Sequence, residues 1–143
     1  MKIFLLSLLL ALMLFSNENK EAIQVEILEK IFQNISLDDK IVIWSDNKNI
    51  IQEFEKRAHF STTEECQKAS IIVLEDKKNL KEGFCNKAIF VLNYELLKEI
   101  PRSFGSMFWK KGRPNIVIIE PRIKEQNISI SKKLDIYKEE KIW

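Results

Sequence analysis

Hydrophobic and polar positions follow two different rhythms along this chain. In segment 22–35, apolar residues recur every three or four positions, as one face of a helix requires. These apolar positions are Val25, Leu28, Ile31, Phe32 and Ile35. A second amphipathic helix is predicted over Asn49–Ala58, with Asp46 or Asn47 as its N-cap.

Three short runs are apolar without any alternation, at 40–45, 70–74 and 88–92. Such runs are typical of strands covered on both faces, as in a parallel sheet. A short helix, Tyr94–Ile100, follows the third run and ends before Pro101. The order of strands and helices predicts a small α/β domain.

The last third of the chain has the pattern of a β-hairpin. Phe104–Trp109 and Asn115–Glu120 flank a turn centred on Gly112. Pro114 has no amide donor, so it belongs at the start of a strand or on an edge.

A final helix is predicted from Lys132 to about Lys141, capped by Ser129 or Ser131. The predicted fold class is therefore α/β: a small three-layer-like domain with a mostly parallel sheet, a C-terminal antiparallel hairpin and flanking helices.

The N-terminus has the layout of a secretory signal peptide. Met1-Lys2 is positive, Ile3 to Phe15 is an apolar run, and Ser16 is a small residue before a polar stretch. The run is shorter than the roughly 20 residues that span a bilayer. We therefore predict a signal peptide over 1–16, one domain over 17–143, a periplasmic location and no stable membrane insertion after cleavage. An uncleaved N-terminal anchor stays open as an alternative.

Composition narrows the function further. The chain has 23 basic and 21 acidic residues and a net charge of +2, which argues against nucleic acid as a partner. Its two cysteines, Cys66 and Cys85, suggest one intramolecular disulfide in an exported protein. If the runs that follow them are adjacent parallel strands, the two thiols lie near the same end of the sheet. Two buried free thiols are the alternative.

Candidate catalytic groups are few. His59 is the single histidine and is expected to be a partly exposed structural residue near a helix end. Asp38-Asp39 resembles the acidic pair of a phosphoacceptor receiver domain, but it precedes its strand, whereas ligands bind at the carboxyl ends of strands. We expect no enzyme activity, no cofactor and no metal site.

The segment 104–115 is the most unusual stretch, since it places aromatic residues next to cations. Trp109, Lys110 and Arg113 are the candidate contacts to a partner or ligand. In one interpretation, one face of the strand carries exposed aromatic side chains. In the other, the aromatic residues belong to the core and the cations form a solvated turn. A weaker signal is that Lys110 and Arg113 hold an anion, which makes a small-ligand module the alternative function.

The order of segments resembles the YfiR-like family of small periplasmic regulators (the DUF4154 type). The matching segments over about 20–138 are the helix at 22–35, strand 40–45, helix 49–58, the cysteine and strand at 66–74, strand 87–93, the hairpin, and the phrase Arg122–Leu134. The chain departs from the family at Phe104-Gly105-Ser106, where paired glycines are usual, and at Ile118–Pro121.

The resemblance implies a function without catalysis. Members of the family bind the sensory region of an inner-membrane signalling protein, such as a diguanylate cyclase or a histidine kinase. A disulfide and self-association are common in the family, so a homodimer is also an expectation.

Overall fold

The structure is a computed structural model that describes residues 20–37, 40–57, 59–80 and 86–143. The predicted signal peptide over 1–16 therefore lies outside the described residues. The described part contains the α-helices α1 Lys20–Gln33, α2 Lys48–Arg57, α3 Tyr94–Glu99 and α4 Glu120–Glu125. Its strands are β1 Ile35–Ser36, β2 Val42–Ser45, β3 Ser61–Thr62, β4 Ile71–Leu74, β5 Ala88–Val91, β6 Ser103–Lys110, β7 Arg113–Ile119, β8 Ser129–Ile130 and β9 Lys138–Glu139.

A seven-stranded sheet in the order β3-β2-β4-β5-β6-β7-β9 forms the middle of the molecule. Neighbouring strands are parallel from β3 to β6. The pair β6-β7 is antiparallel, and β9 joins β7 in parallel. Strands β1 and β8 form a separate antiparallel pair. The predicted fold class, a mostly parallel α/β sheet with a C-terminal hairpin and flanking helices, is confirmed.

The core lies on both faces of this sheet. Ile71 and Val73 point into the cluster that contains the apolar faces of α1 and α2. Ile72 and Leu74 point into the cluster that contains α3. All four side chains are fully buried, which explains why this strand shows no polar alternation in the sequence.

Asparagine side chains begin two of the helices, as their sequence positions predict. Asn47 Oδ1 accepts a hydrogen bond from Asn49 N (2.9 Å) at the start of α2. Asn93 Oδ1 accepts one from Glu95 N (3.0 Å) at the start of α3. Each bond satisfies a backbone N–H that has no partner within its helix.

Arg122 on α4 fixes the connection between α3 and β6. Its Nη1 donates to the carbonyl oxygens of Leu97 and Ser103, both at 2.8 Å. Burial lowers the pKa of Arg122 below its ordinary value, and the charge of Glu125 opposes that shift. A single guanidinium therefore satisfies backbone carbonyls at the end of a helix and the beginning of a strand.

The predicted final helix is wrong in type and length. The segment Lys132–Tyr137 is a 3-10 helix, and the chain then extends into β9. Ser131 does cap it, since its side chain accepts a hydrogen bond from Lys133 N (3.3 Å). Only Leu134 of this helix is buried, so packing does not favour a longer amphipathic α-helix here.

The described cysteine lies where the predicted sheet places it. Cys66 begins a 3-10 helix, Cys66–Lys68, just before β4, and is buried as a free thiol in this structure. Strands β4 and β5 are adjacent and parallel, as expected. Cys85 lies outside the described residues, so its disulfide with Cys66 stays a prediction. Asp38 and Asp39 also lie outside them.

Candidate functional site

The hairpin of β6 and β7 extends beyond the rest of the sheet. The pairing of β5 with β6 ends at Ser106, and β9 pairs only with Ile118 and Ile119. Between Ser106 and Ile118, the two strands of the hairpin pair only with each other among the described strands. We call this free part, residues 107–117, the hairpin arm.

A tight turn ends the hairpin arm. Lys110 pairs with Arg113, which leaves Lys111 and Gly112 as the two turn residues. Both have positive φ angles, 53° and 73°. Two consecutive left-handed residues are typical of a type I′ turn, which matches the right-handed twist of its strands. The arm is therefore a regular hairpin with a defined tip.

The tip of the arm carries three exposed cations, Lys110, Lys111 and Arg113. Among the described residues, no carboxylate lies within ion-pair distance of any of them. Lys110 and Arg113 face each other across the last pair of the hairpin, open to solvent. The expectation that these two residues hold a small anion stays a prediction.

The aromatic residues anchor the arm instead of projecting from it. Trp109 is half-buried against the core cluster of α1, and Lys20 Nζ lies 6.0 Å from the centroid of its ring. Phe108, on the opposite face, lies 5.1 Å from the ring of Tyr94 between centroids. Met107 is fully buried. The interpretation with core aromatics and a solvated basic turn therefore describes this segment, although Trp109 keeps part of its surface exposed.

One buried polar side-chain atom of the arm has no hydrogen-bond partner in the described structure. Trp109 Nε1 is buried and makes no hydrogen bond in the described structure. A buried, unpaired N–H costs about 1–3 kcal/mol relative to one that is hydrogen-bonded. Next to its tip, the arm therefore packs through apolar contacts but leaves one indole N–H without a hydrogen bond.

A second group of polar residues lies at the carboxyl ends of β2 and β4, which we call the carboxyl edge. Strands β3 and β4 lie on opposite sides of β2, so the chain reverses its direction of growth here. Ligands of open α/β sheets bind at such a point. A cleft of about 460 Å³ lies beside it, between α2 and the ends of β2 and β3.

Asp46 organises this edge. Its carboxylate accepts hydrogen bonds from Glu75 N (2.8 Å), Asp76 N (3.0 Å) and Asn79 Nδ2 (2.9 Å). The carboxylate thereby fixes the turn that follows β4. Sequence reasoning considered Asp46 only as a helix cap; the signal for its larger role is an acidic residue directly after an apolar run.

Comparison with protein-family models, with curated proteins and with solved structures found no match. The likeness of the segment order to the YfiR-like family therefore stays a proposal.

Two other features were sought among the described residues, a membrane-spanning helix and a metal site. Within them, no helix is long and apolar enough to cross a membrane. Nor do they contain a group of three or more His, Cys, Asp or Glu side chains that could hold a metal ion.

His59 lies just beyond α2 and contacts a buried acid. Its Nδ1 is 3.2 Å from Glu29 Oε2, and 60% of its side chain is exposed. Glu29 lies on α1, with Arg57 Nη1 at 3.9 Å from the same oxygen. Arg57 Nη2 donates to Ala22 O at 3.1 Å. These contacts hold α1 against the end of α2, so they contribute to the packing of the two helices.

Proposed function

We propose that this protein is an exported regulator of the bacterial envelope. It binds the sensory region of an inner-membrane signalling protein, such as a diguanylate cyclase or a histidine kinase, and modulates its activity without catalysis. The observation that supports this best is the hairpin arm. Its tip presents three exposed cations that have no carboxylate partner among the described residues.

Unpaired charges at a projecting tip favour association with an acidic partner. Complementary charges raise the association rate and fix the orientation of two proteins more than they raise affinity. Trp109, which is partly exposed, precedes these cations in β6. Tryptophan and arginine are enriched among the residues that dominate binding energy at interfaces. The arm thus combines charges that attract a partner over a distance with a partly exposed aromatic residue beside them.

The arm also offers unpaired strand edges. Its residues beyond Ser106 on one strand and before Ile118 on the other have no neighbouring strand in the described sheet. Such edges accept an extended segment of a partner, with main-chain hydrogen bonds supplying affinity. Pro114, paired with Trp109, removes one donor from the second edge. We therefore place the partner segment along the edge of β6.

The predicted signal peptide and the segment order support the location and the class of partner in this proposal. The predicted signal peptide would deliver the domain to the periplasm, where sensory regions of inner-membrane proteins are accessible. The resemblance to YfiR-like regulators supplies the class of partner. Self-association through the same edge of β6 would compete with this partner, so the homodimer and the complex are expected to be alternatives.

Site-specific cross-linking tests the proposal directly. A photo-activated residue in place of Lys111 is expected to cross-link to an inner-membrane protein with a periplasmic sensory region, in cells that produce the protein at its natural level. Lys133 is the matched control position, because it is an exposed lysine with no ion pair in the described structure. Mass spectrometry of the cross-linked peptides identifies both partner and contact.

A second measurement separates charge from contact. The double substitution Lys110→Ala and Lys111→Ala is expected to slow association with the identified partner about tenfold at low salt, and less at high salt. Lys132→Ala with Lys133→Ala removes the same charge elsewhere and should leave the rate unchanged. Equal effects of the two pairs, or cross-links at residue 133 as strong as at residue 111, would refute the arm as the contact surface.

A further inference from the structure

A polar pocket lies at the opposite end of the sheet from the carboxyl edge. It is formed by the starts of β4 and β5, the connection from α3 to β6, and the end of α4, with a volume of about 170 Å³. Its polar lining includes Ser70, Lys87, Arg102 and Gln126, and its apolar lining includes Leu37 and Ile128. None of the contacts discussed for the hairpin arm involves these residues.

Two buried polar atoms of the pocket residues have no partner. Arg102 Nε, a donor, makes no hydrogen bond, and neither does Gln126 Oε1, an acceptor. The orientation of the amide is fixed, because Gln126 Nε2 donates to Arg102 O at 3.0 Å. Buried polar groups in folded proteins are nearly always paired, so an unpaired donor and an unpaired acceptor on two residues that line one pocket require an explanation.

Among the described lining residues, the charged side chains are both cations, Lys87 and Arg102. Arg102 makes one long hydrogen bond, from Nη2 to Lys87 O at 3.4 Å. Neither Arg102 nor Lys87 has an ion pair among the described residues, and the described lining of the pocket contains no carboxylate. Ser70 is already engaged, since its hydroxyl donates to Lys40 O and accepts from Val42 N. The cations are therefore the groups free to meet a ligand.

The size of the pocket fits a small organic anion. A volume of about 170 Å³ is well above what one water molecule needs, so it leaves room for a small organic molecule. Water molecules could fill this space, but they would not neutralise the charges of Arg102 and Lys87 as an anion does. A carboxylate accepts hydrogen bonds from a guanidinium and neutralises its charge. Gln126 Oε1 additionally requires a donor.

We propose that this pocket binds a small carboxylate that carries a hydroxyl or amino group beside the carboxyl carbon. The carboxylate accepts from Arg102 and Lys87, and the neighbouring hydroxyl or amino group donates to Gln126 Oε1. This site is separate from the hairpin arm, and it does not depend on the proposed regulatory function. It also differs from the predicted anion contact at Lys110 and Arg113.

Glycolate and acetate form a matched pair of probes, because they differ by the hydroxyl group alone. With the purified protein, calorimetry is expected to show saturable binding of glycolate. Acetate should bind about fivefold more weakly, as the loss of one hydrogen bond to a neutral group predicts. In nuclear magnetic resonance spectra, glycolate should shift the Nε–Hε signal of Arg102, while signals of the arm stay in place.

Variants locate the binding independently. Arg102→Met is expected to weaken glycolate binding by about tenfold or more, as the loss of a charged hydrogen bond predicts. Arg113→Met removes a cation from the arm and should leave binding unchanged. The proposal fails if glycolate shows no saturable binding, if sulfate binds more tightly than glycolate, or if the Arg113 variant loses binding. If the Arg102 variant does not fold, the Nε–Hε signal of the unsubstituted protein still decides the question.

Discussion

The carboxyl edge and the hairpin arm both gather polar side chains, but they differ in what those side chains contact. At the edge, the Asp46 carboxylate receives three hydrogen bonds from within the chain. At the tip of the arm, three cations have no carboxylate partner in the described structure. The first region uses its charge to hold a loop, and the second leaves its charge available.

The two regions differ both in their location in the sheet and in whether their charged side chains have partners. The edge has the position at which α/β sheets usually bind ligands. Its most prominent acid is nevertheless engaged in local structure. The arm lies away from that position, yet it presents charge that the described fold does not use. The proposed contact surface therefore rests on charges that the described fold leaves unpaired and not on the usual position of a ligand site.

The largest expected effect separates the rigid root of the hairpin from its tip. A Cβ atom at Gly105 would lie 2.8 Å from Val117 O and 2.9 Å from Phe90 Cε2. Because Phe90 is fully buried and cannot retreat, Gly105→Ala is expected to reduce the free energy of unfolding by about 3 kcal/mol. Urea denaturation measures this change as a lower midpoint.

Gly112→Ala is the matched control at the tip. The position is open to solvent, so the new methyl group meets no atom, but its φ of 73° favours glycine. The expected loss is about 1 kcal/mol. Similar losses for the two glycines would mean that the root is not more tightly packed than the tip.

The sequence predicts the central part of the fold well. Continuous apolar runs indicate β4 and β5, because a strand buried on both faces leaves a simple signal. The hairpin turn at Gly112 is also predictable, because a tight turn requires a residue that adopts a positive φ angle, and glycine does so readily. Pro114 lies at the second position of β7, as its missing donor predicts.

The missed elements are those that depend on distant partners. Strands β1, β3, β8 and β9 have two residues each, too short for any period to be visible. Helix α4 buries only Ile123, so it shows no apolar face in the sequence, although a proline lies in its first turn. These segments are ordered by tertiary contacts that no local pattern encodes.

The candidate sites divide in the same way. Trp109, Lys110 and Arg113 stand together in the sequence, so their proximity was predictable. Arg102 and Gln126 meet only after the sheet and α4 have formed. Likewise, the hydrogen bonds that Asp46 accepts from the turn after β4 join segments about 30 residues apart. Local sequence patterns do not reveal such pairings.

Asp46→Ala tests whether the carboxyl edge is held by this one side chain. The substitution leaves two backbone N–H groups and one amide without their acceptor, although water reaches the half-buried site. The free energy of unfolding is expected to fall by about 2 kcal/mol. Asp46→Asn retains an acceptor and should lose less. Cross-linking from position 111 should be unaffected.

Asp76→Ala is the control within the same turn. Asp76 Oδ1 accepts one local hydrogen bond, from Lys78 N at 3.1 Å, and its side chain is exposed. The expected loss is about 0.5 kcal/mol. A greater loss at Asp76 than at Asp46 would remove the contrast between a carboxylate that clamps a loop and one that caps a turn.

The smallest expected effect compares two tryptophans, one in each region. Trp44 Nε1 donates to Glu64 O at 3.2 Å, whereas Trp109 Nε1 is buried without a partner. Trp44→Phe removes a made hydrogen bond and is expected to cost about 1 kcal/mol. Trp109→Phe keeps an aromatic ring and removes a donor that has no hydrogen bond. The free energy of unfolding should therefore change by less than about 0.5 kcal/mol.

Urea denaturation of both variants measures the difference. Pairing explains the contrast, because the hydrogen bond lost at Trp44 leaves the Glu64 carbonyl without its donor, and no such acceptor exists for Trp109 in the described structure. A cost at Trp109 that equals or exceeds the cost at Trp44 would show that its indole N–H is stabilised in solution. The arm at Trp109 would then be as fully hydrogen-bonded as the carboxyl edge, and unpaired polar groups would no longer distinguish the two regions there.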